Sequence, residues 1–422
     1  MKIAIVGAGI AGNVAARELH REHDVTVLEA AGHVGGHTHT HTIETRGERH
    51  AIDTGFIVFN DRTYPSFIAL LAELGVPAQP TSMSFSVRNE ASGLEYNGST
   101  LNGLFAQRRN LLRPSFHRML RDVLRFNREA PELLDEGQEL SLQEYLRARQ
   151  YSEAFVRDYL VPMGAAIWST APERLLDFPV RFFVRFFHNH GMLSVNDRPQ
   201  WRVVRGGSAR YVEKLVAPFR HRVRLNAPVV SVRRFPDRVL VRVLGAEAER
   251  FDCVFLACHA DQALALLADA TPLEREVLGA LPYQENEAVL HTDASLMPRS
   301  RRAWAAWNYH VPARPAERVA VTYNMNILQG LAARETYCVT LNRTGAIDPR
   351  RVLKRLRYHH PLYTPRAVAA QRRQSEVNHA RTYFCGAYWR FGFHEDGVAS
   401  ALEAVRHFRQ RQHAPRDLPR VA

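Results

Sequence analysis

The sequence predicts an α/β protein: a Rossmann-type dinucleotide-binding domain assembled from separated segments, with a discontinuous α+β substrate domain threaded between them. Three observations carry this prediction. A β-branched run at residues 2–6 leads into Gly7-Ala-Gly9-Ile-Ala-Gly12 and then a stretch of helical composition. A series of short strand-like runs between residues 223 and 257 returns to the same kind of sequence, and a strand, glycine turn and helix follow Thr382.

The first unit is justified residue by residue. Gly7 permits a tight turn, Gly9 lets the backbone approach a pyrophosphate, and Gly12 lets the helix pack closely on the strand, with Ala11 inside the same fingerprint. The helix N-terminus then faces the phosphates. A second strand at 25–28 ends at Glu29, placed to accept hydrogen bonds from an adenosine ribose. The unit closes in about 29 residues, the size such a fold requires.

Composition bounds the rest. With 422 residues, 46% hydrophobic and 23% charged, the chain can bury a substantial core, which excludes a disordered or small disulfide-stapled protein. Cys253, Cys258, Cys338 and Cys385 are scattered with no Cys-x-x-Cys pair, so neither a zinc ribbon nor a disulfide framework is signalled, and a reducing compartment fits. The net charge of +13 favours anionic partners, yet only Lys2, Lys214 and Lys354 are lysines, and no nucleic-acid recognition motif accompanies the charge. The apolar start lacks the basic region of an export signal, and no window reaches the ~18 apolar residues of a membrane span. A cytoplasmic protein, peripheral at the inner membrane surface at most, is expected.

Ala30-Ala-Gly32-His-Val-Gly35-Gly36-His37 adds a glycine pair directly after the acid. Glu-x-x-x-x-x-Gly-Gly following the first βαβ unit resembles the signature of FAD proteins of the amine oxidase and phytoene desaturase superfamily. In that family a basic residue commonly follows the pair beside the pyrophosphate, and His37 stands there here. His33, His37, His39 and His41 also invite a metal reading, but no Cys, Asp or Glu joins them within the cluster, and no metal is expected.

Residues 51–59, with Thr54, Gly55 and Phe56, read as a strand broken at a glycine where backbone approaches a flat ligand. In the resembled family the matching glycine lies against the flavin ring. Pro65 and Gly75 bracket an amphipathic helix. From Pro80 to Arg198 the composition turns helical, arginine-rich and aromatic. Arg118, Arg121, Arg125 and Arg128 share one helical face, a solvated face or a basic membrane-facing one. Phe178, Phe182, Phe183, Phe186 and Phe187 form a stripe that suits either a core or the wall of an apolar tunnel.

Arg205-Gly206-Gly207-Ser208 and a helix from Tyr211 mark the return to the cofactor domain, as in proteins of the resembled family. Strands at 223–225, 229–232, 239–244 and 254–257 suggest the β-meander of an FAD domain. The resemblance implies adenine contact near Val230. A second inserted segment, 261–379, carries strand-like runs at 287–290, 319–323 and 337–341. Gly386, then Asp396 and Gly397 just before a final helix at 398–408, resemble the last FAD motif of the superfamily, where the helix N-terminus faces the flavin pyrimidine. That match favours FAD over NAD and a GR2-like domain. The FAD-binding domain is therefore expected at 1–80, 199–262 and 380–422, and the substrate domain at 81–198 and 263–379.

Within the superfamily the sequence most resembles amine-oxidase-like flavoproteins found beside, or fused to, cyclopropane-fatty-acyl-phospholipid synthase methyltransferases. Residues 52–60, 201–208, 290–293, 322–326 and 384–397 carry the likeness. It implies an FAD-dependent oxidoreductase that oxidises or desaturates a modified fatty-acyl chain of a phospholipid, a lipid or other apolar substrate, and association with a lipid methyltransferase. His394 and Glu395, in the motif nearest the flavin, are the candidates to take the accompanying proton, against a reading as helix caps. Two alternatives stay open. One is a flavin amine oxidase, although the lysine such enzymes usually carry near the flavin is missing from the 287–292 strand. The other is a non-catalytic FAD-binding partner of a methyltransferase. No nucleic acid is expected.

Overall fold

In a computed structural model, the structure describes residues 1–45, 47–135, 140–313 and 318–413. Packing divides the chain into two compact units, one of residues 1–36, 211–282 and 369–422, the other of residues 37–210 and 283–368. Relative to the predicted segments, residues 37–80 and 199–210 share a core with the second unit, and residues 263–282 and 369–379 with the first. The predicted segments follow cofactor motifs, whereas packing follows shared core.

The first unit is a five-stranded parallel sheet in the order Val223–Arg224, Asp24–Leu28, Lys2–Val6, Cys253–Leu256, Thr382–Phe384. Ile3, Ala4, Ile5, Val254, Phe255 and Leu256 are all fully buried, the continuous apolar pattern of a strand covered on both faces. The helices Ile10–Leu19 and His394–His413 pack on each other. A three-stranded antiparallel meander, Val229–Arg234, Val239–Val243 and Ala248–Phe251, stands apart from the parallel sheet. Two of the four runs expected to form that meander, at 223–225 and 254–257, instead join the parallel sheet, because both pair in parallel with strands from the fingerprint unit.

The second unit is built on a seven-stranded sheet: Val352–Pro361, Tyr283–His291, Cys338–Leu341, Val321–Asn324, Trp307–Val311, Phe85–Asn89, Leu94–Asn97. Every pair is antiparallel except Trp307–Val311 with Phe85–Asn89. The hairpin Phe85–Asn89 and Leu94–Asn97 falls where only helix was expected, since its main pairing partner lies more than 200 residues on. A hairpin Thr40–Thr45 and Glu48–Asp53, and a small sheet of Phe59–Asn60, Trp201–Val204 and Ala78–Pro80, complete its β structure.

The helices of this unit start where the sequence places caps. Ser141 and Glu144 form a reciprocal capping box at Leu142–Ala148, and Pro65 and Pro114 open Pro65–Glu73 and Pro114–Glu129. Helix Val180–Asn189 turns Phe182, Phe183, Phe186 and Phe187 inward, with Arg185 and His188 exposed. The phenylalanine stripe is packed core: Phe183 stacks on Phe187 at 4.2 Å, and Trp168 meets Phe186 at 4.7 Å.

Candidate functional site

In the first unit the fingerprint forms the tight turn that its glycines demand. Gly7 has φ +102°, and a Cβ on it would stand 2.9 Å from the Ala257 carbonyl oxygen. A Cβ on Gly12 would stand 1.9 Å from the Gly7 carbonyl oxygen, which is the close helix-to-turn packing expected there. Gly9 differs: a Cβ there would meet nothing within 4 Å. Its neighbourhood is an open cradle at the start of helix Ile10–Leu19, with Ala11 buried in the first turn. Gly35 pairs with Gly9 in an isolated parallel bridge, and Gly36, at φ +59°, faces the Gly9 Cα. Gly7, Gly9, Gly12, Gly35 and Gly36 therefore meet around one turn.

Glu29 follows the second strand, as expected, and its carboxylate accepts from the backbone N–H of Ala8 at 2.7 Å and of Ala31 at 2.8 Å. Both loops that flank the turn are thereby tied to one acid. Val230 falls in a β-bulge, where the ladder steps from Val229 to Ser231 and passes it over, and its side chain is 38% exposed. Its backbone thus lies outside the strand pairing.

The last motif reaches the same place. A Cβ on Gly397 would collide with Ile10 Cγ2 at 2.6 Å and stand 3.9 Å from Ala11 N, so the first turns of the two helices converge. Two helix N-termini there concentrate partial positive charge and unsatisfied N–H groups, the environment an anionic pyrophosphate or a reduced flavin ring requires. Gly386 is extended, and a Cβ on it would overlap the Tyr388 ring at 2.3 Å. Asp396 is buried and accepts from the Phe393 N–H at 2.9 Å; burial pushes its pKa up to about 7 against that bond. His394 is buried beside Tyr211, with 2.6 Å between the tyrosine hydroxyl and Nε2, and Glu395 is buried in the same first turn. The chain's own residues thus offer an open glycine cradle, two converging helix N-termini and a bulged strand, which fit a dinucleotide with a charged linkage.

His37, Thr54, Gly55 and Phe56 belong to the second unit. There Gly55 has a local reason to be glycine: a Cβ would stand 2.1 Å from the His37 carbonyl oxygen, which accepts from the Phe56 N–H at 2.7 Å. Around them stand residues that sequence reading missed. The Tyr358 hydroxyl meets Thr54 Oγ1 at 2.8 Å, and the His37 ring lies 5.0 Å from Tyr358 and 5.5 Å from His360. Asn286 Nδ2 lies 3.0 Å from His360 Nδ1, and burial, then His37 and His359, push the His360 pKa down to about 3. His360 is therefore neutral, with Nδ1 as acceptor. The one available signal was the alternation of Tyr358 and His360 on a strand, which puts both on one face.

A second missed feature is Asp53, fully buried beside Thr54. Its carboxylate accepts from Ser208 N at 3.0 Å, Ser208 Oγ at 2.8 Å, Gln329 Nε2 at 3.2 Å and the Thr40 hydroxyl. Burial raises its pKa to about 6 against those donors. This knot ties the 40–53 hairpin to the glycine turn, where Gly207, at φ +97°, leaves no room for a side chain against Thr40. Among the described residues no group of three or more His, Cys, Asp or Glu is placed to hold a metal.

Comparison with known proteins defines the class. Residues 10–291 match the family model described as flavin containing amine oxidoreductase, two thirds of the chain, and the chain belongs to that family of FAD-dependent oxidoreductases. FAD is its cofactor. Over 262 residues it is 30% identical to the "Putative flavin-containing monoamine oxidase AofH" of Mycobacterium tuberculosis, a match covering 58% of this chain and 54% of AofH. The chain thus spans about half the length of the curated relatives it matches.

Solved structures share the fold across nearly the whole length. Cyclohexylamine oxidase from Brevibacterium oxydans IH-35A is similar with a TM-score of 0.70 at 16% identity, covering 98% of this chain and 99% of that one. A protein from Exiguobacterium sp. 255-15 named for protoporphyrinogen oxidase reaches 0.71 at 19% identity, covering 97% and 99%. A fatty acid isomerase from P. acnes that produces CLA reaches 0.67 at 17% identity, covering 96% and 98%.

Proposed function

We propose that this FAD-dependent oxidoreductase acts on an apolar carbon substrate of the fatty-acyl class, oxidising or desaturating it. The observation that carries the choice over an amine is the disposition of lysine. Strand Tyr283–His291 carries none, and Lys354, opposite Leu290 on the neighbouring strand, is exposed, as is Lys214, while Lys2 lies in another sheet and is half-exposed. Of the polar groups around Thr54, Tyr358, Asn286 and the unprotonated His360 are neutral, and the nearby Asp53 carboxylate is enclosed by its own donors. No free carboxylate in that group faces a substrate ammonium.

FAD, when bound, supplies a hydride acceptor. Gly7, Gly9, Ala11, Gly12, Gly35, Gly36 and Glu29 would hold its nucleotide half, with Val230 at the adenine. In the first unit Gly386, Asp396 and Gly397 are assigned to the flavin half; in the second unit the resemblance assigns His37 to the pyrophosphate and Thr54, Gly55 and Phe56 to the flavin. His394, oriented by Tyr211, and Glu395 are assigned to take the proton that leaves with the hydride. A second reading, oxidation of an amine, is favoured by the name of the AofH relative.

The test is an anaerobic visible-spectrum titration of the flavin-loaded protein with unsaturated and methyl-branched phospholipids, and separately with monoamines and polyamines. Bleaching by lipid alone is expected. Bleaching by amine alone would replace this reading with the second.

A further inference from the structure

We infer that the segment 101–128 of the second unit is a docking surface for an anionic lipid bilayer. Nine large apolar side chains are exposed among the described residues, and four of them, Leu101 (78%), Leu111 (50%), Leu112 (88%) and Leu124 (61%), fall within these 28 positions. The same stretch holds seven arginines and a single acid, Asp122.

That acid does not neutralise the surface. Asp122 is buried, accepting from the Ser152 N–H at 2.9 Å on the inner side of helix Pro114–Glu129. The inner side also takes Phe116, Met119 and Phe126, so the helix is anchored by its apolar residues. Its outer side presents His117, Arg118, Arg121, Leu124 and Arg128, all exposed. Leu124 stands between Arg121 and Arg128, three residues from one and four from the other, hence beside both. Arg125 leaves the predicted four-arginine face: its guanidinium lies 4.0 Å over the Tyr151 ring and donates to the Arg149 carbonyl at 3.1 Å.

The preceding turn extends the patch. His117 Nε2 lies 2.7 Å from the Leu111 carbonyl oxygen, which holds Leu111 and Leu112 against the start of the same face. Arg108 bonds Asn102 Oδ1 at 2.6 Å and the Phe105 carbonyl at 3.0 Å, linking the end that carries Leu101. Arg109 and Arg113 likewise bond the carbonyls of Gly93 and Ser92. These partners are neutral, so the guanidinium groups are positioned with their charge intact. Among the described residues no carboxylate pairs with Arg108, Arg109, Arg113, Arg118 or Arg121.

Exposed leucines interleaved with these five uncompensated arginines, and with Arg128, which meets Glu129 Oε1 at 3.4 Å, match the boundary between acidic headgroups and acyl chains, which takes both. A nucleic acid would satisfy the arginines and leave the leucines in water; single-strand binders present aromatic rings for stacking instead. The inference concerns where the protein sits and holds whether its substrate is a lipid or an amine.

The test is co-sedimentation of the flavin-loaded 422-residue chain with vesicles of phosphatidylcholine alone and of phosphatidylcholine mixed with phosphatidylglycerol. Binding to the mixed vesicles alone, weakening as salt rises, is expected. Arg118→Gln, Arg121→Gln and Arg128→Gln together should lower partitioning on the order of 100-fold. Leu111→Ser with Leu112→Ser should lower it at least ~10-fold. All five positions are exposed, and retained flavin absorbance reports folding.

Arg220→Gln, Arg233→Gln and Arg242→Gln, exposed in the first unit, remove the same charge and should leave binding near the parent value. Equal binding to neutral vesicles, an equal loss in this control triple, or parent-like binding by the leucine pair would each overturn the inference. Oligonucleotide capture that the arginine triple abolishes and the leucine pair leaves intact, with no vesicle binding, would assign the patch to nucleic acid instead.

Discussion

Asp53 sets a pH dependence that Asp53→Asn should remove. The carboxyl is fully buried, and burial lifts its pKa from 3.8 to about 6, opposed by Thr40 and Ser208. A folded-state pKa above the unfolded value means that the folded chain holds the proton more tightly. The associated stabilisation is complete below the unfolded pKa and is lost as pH rises through 6. About two units at ~1.4 kcal/mol each give about 3 kcal/mol in all, of which about 2 kcal/mol falls between about pH 4.5 and pH 7.5. Asparagine does not titrate, and any misfit of its amide against the Ser208 and Gln329 donors is the same at both pH values. The difference in melting midpoint, variant minus parent, should therefore move in the variant's favour by roughly 2–4 °C across that window. Differential scanning at matched flavin occupancy and scan rate measures it. A difference that stays constant within about 1 °C would refute the reasoning and show that the donors keep the carboxylate ionised throughout.

Other substitutions separate roles that the glycine pattern alone merges. Gly9→Val, entering open space, should leave far-UV circular dichroism unchanged yet purify without flavin absorbance, whereas Gly12→Val, facing a carbonyl oxygen at 1.9 Å, should not yield folded protein. Soluble expression and the 450 nm region of the spectrum distinguish the two. Arg234→Ala strands the fully buried Glu274, which it now holds through Nη1 and, at 2.9 Å, Nη2; a loss of about 3–5 kcal/mol is expected by denaturant titration, and a loss under about 1 kcal/mol would contradict the pairing. Tyr211→Phe removes the partner of His394 and should shift the pH profile of flavin reduction with binding of FAD unchanged; an unmoved profile would take His394 out of proton transfer.

What could be read from the sequence was what depends on neighbours. Gly12 and Glu29 act within one βαβ unit, against the Gly7 carbonyl and the Ala8 and Ala31 N–H groups, and the positive φ of Gly7 belongs to the same local turn, although its closest neighbour, Ala257, comes from a distant strand. Asp53 and Tyr358 were not legible, because their partners Ser208, Gln329 and Thr54 lie 155, 276 and 304 positions away, and no periodicity records such a pairing. Strand Val352–Pro361 escaped for a different reason. It is an outer strand rich in arginine and histidine, with only Tyr358 buried, so it lacks the apolar alternation by which strands are recognised. Arg125 shows the converse error, a position on the helical face that a tyrosine ring withdraws from solvent.

The order of strands in the first unit also sets a timetable. Strand Lys2–Val6 is central in the parallel sheet, yet one of its two neighbours is Cys253–Leu256, and Lys2 N itself donates to Asp252 at 2.7 Å. At the ~5–20 residues per second of synthesis, the apolar strand waits roughly 10–50 s for that neighbour to emerge. Throughout that interval Ile3 and Ile5 have only Asp24–Leu28 beside them, an open strand edge on a growing chain. The edge at Thr382–Phe384 and the helix that follows come later still, so the two converging helix N-termini cannot exist until residues 394–397 have left the ribosome. Flavin capture by both helix N-termini therefore waits on the second helix, some 380 residues after the first.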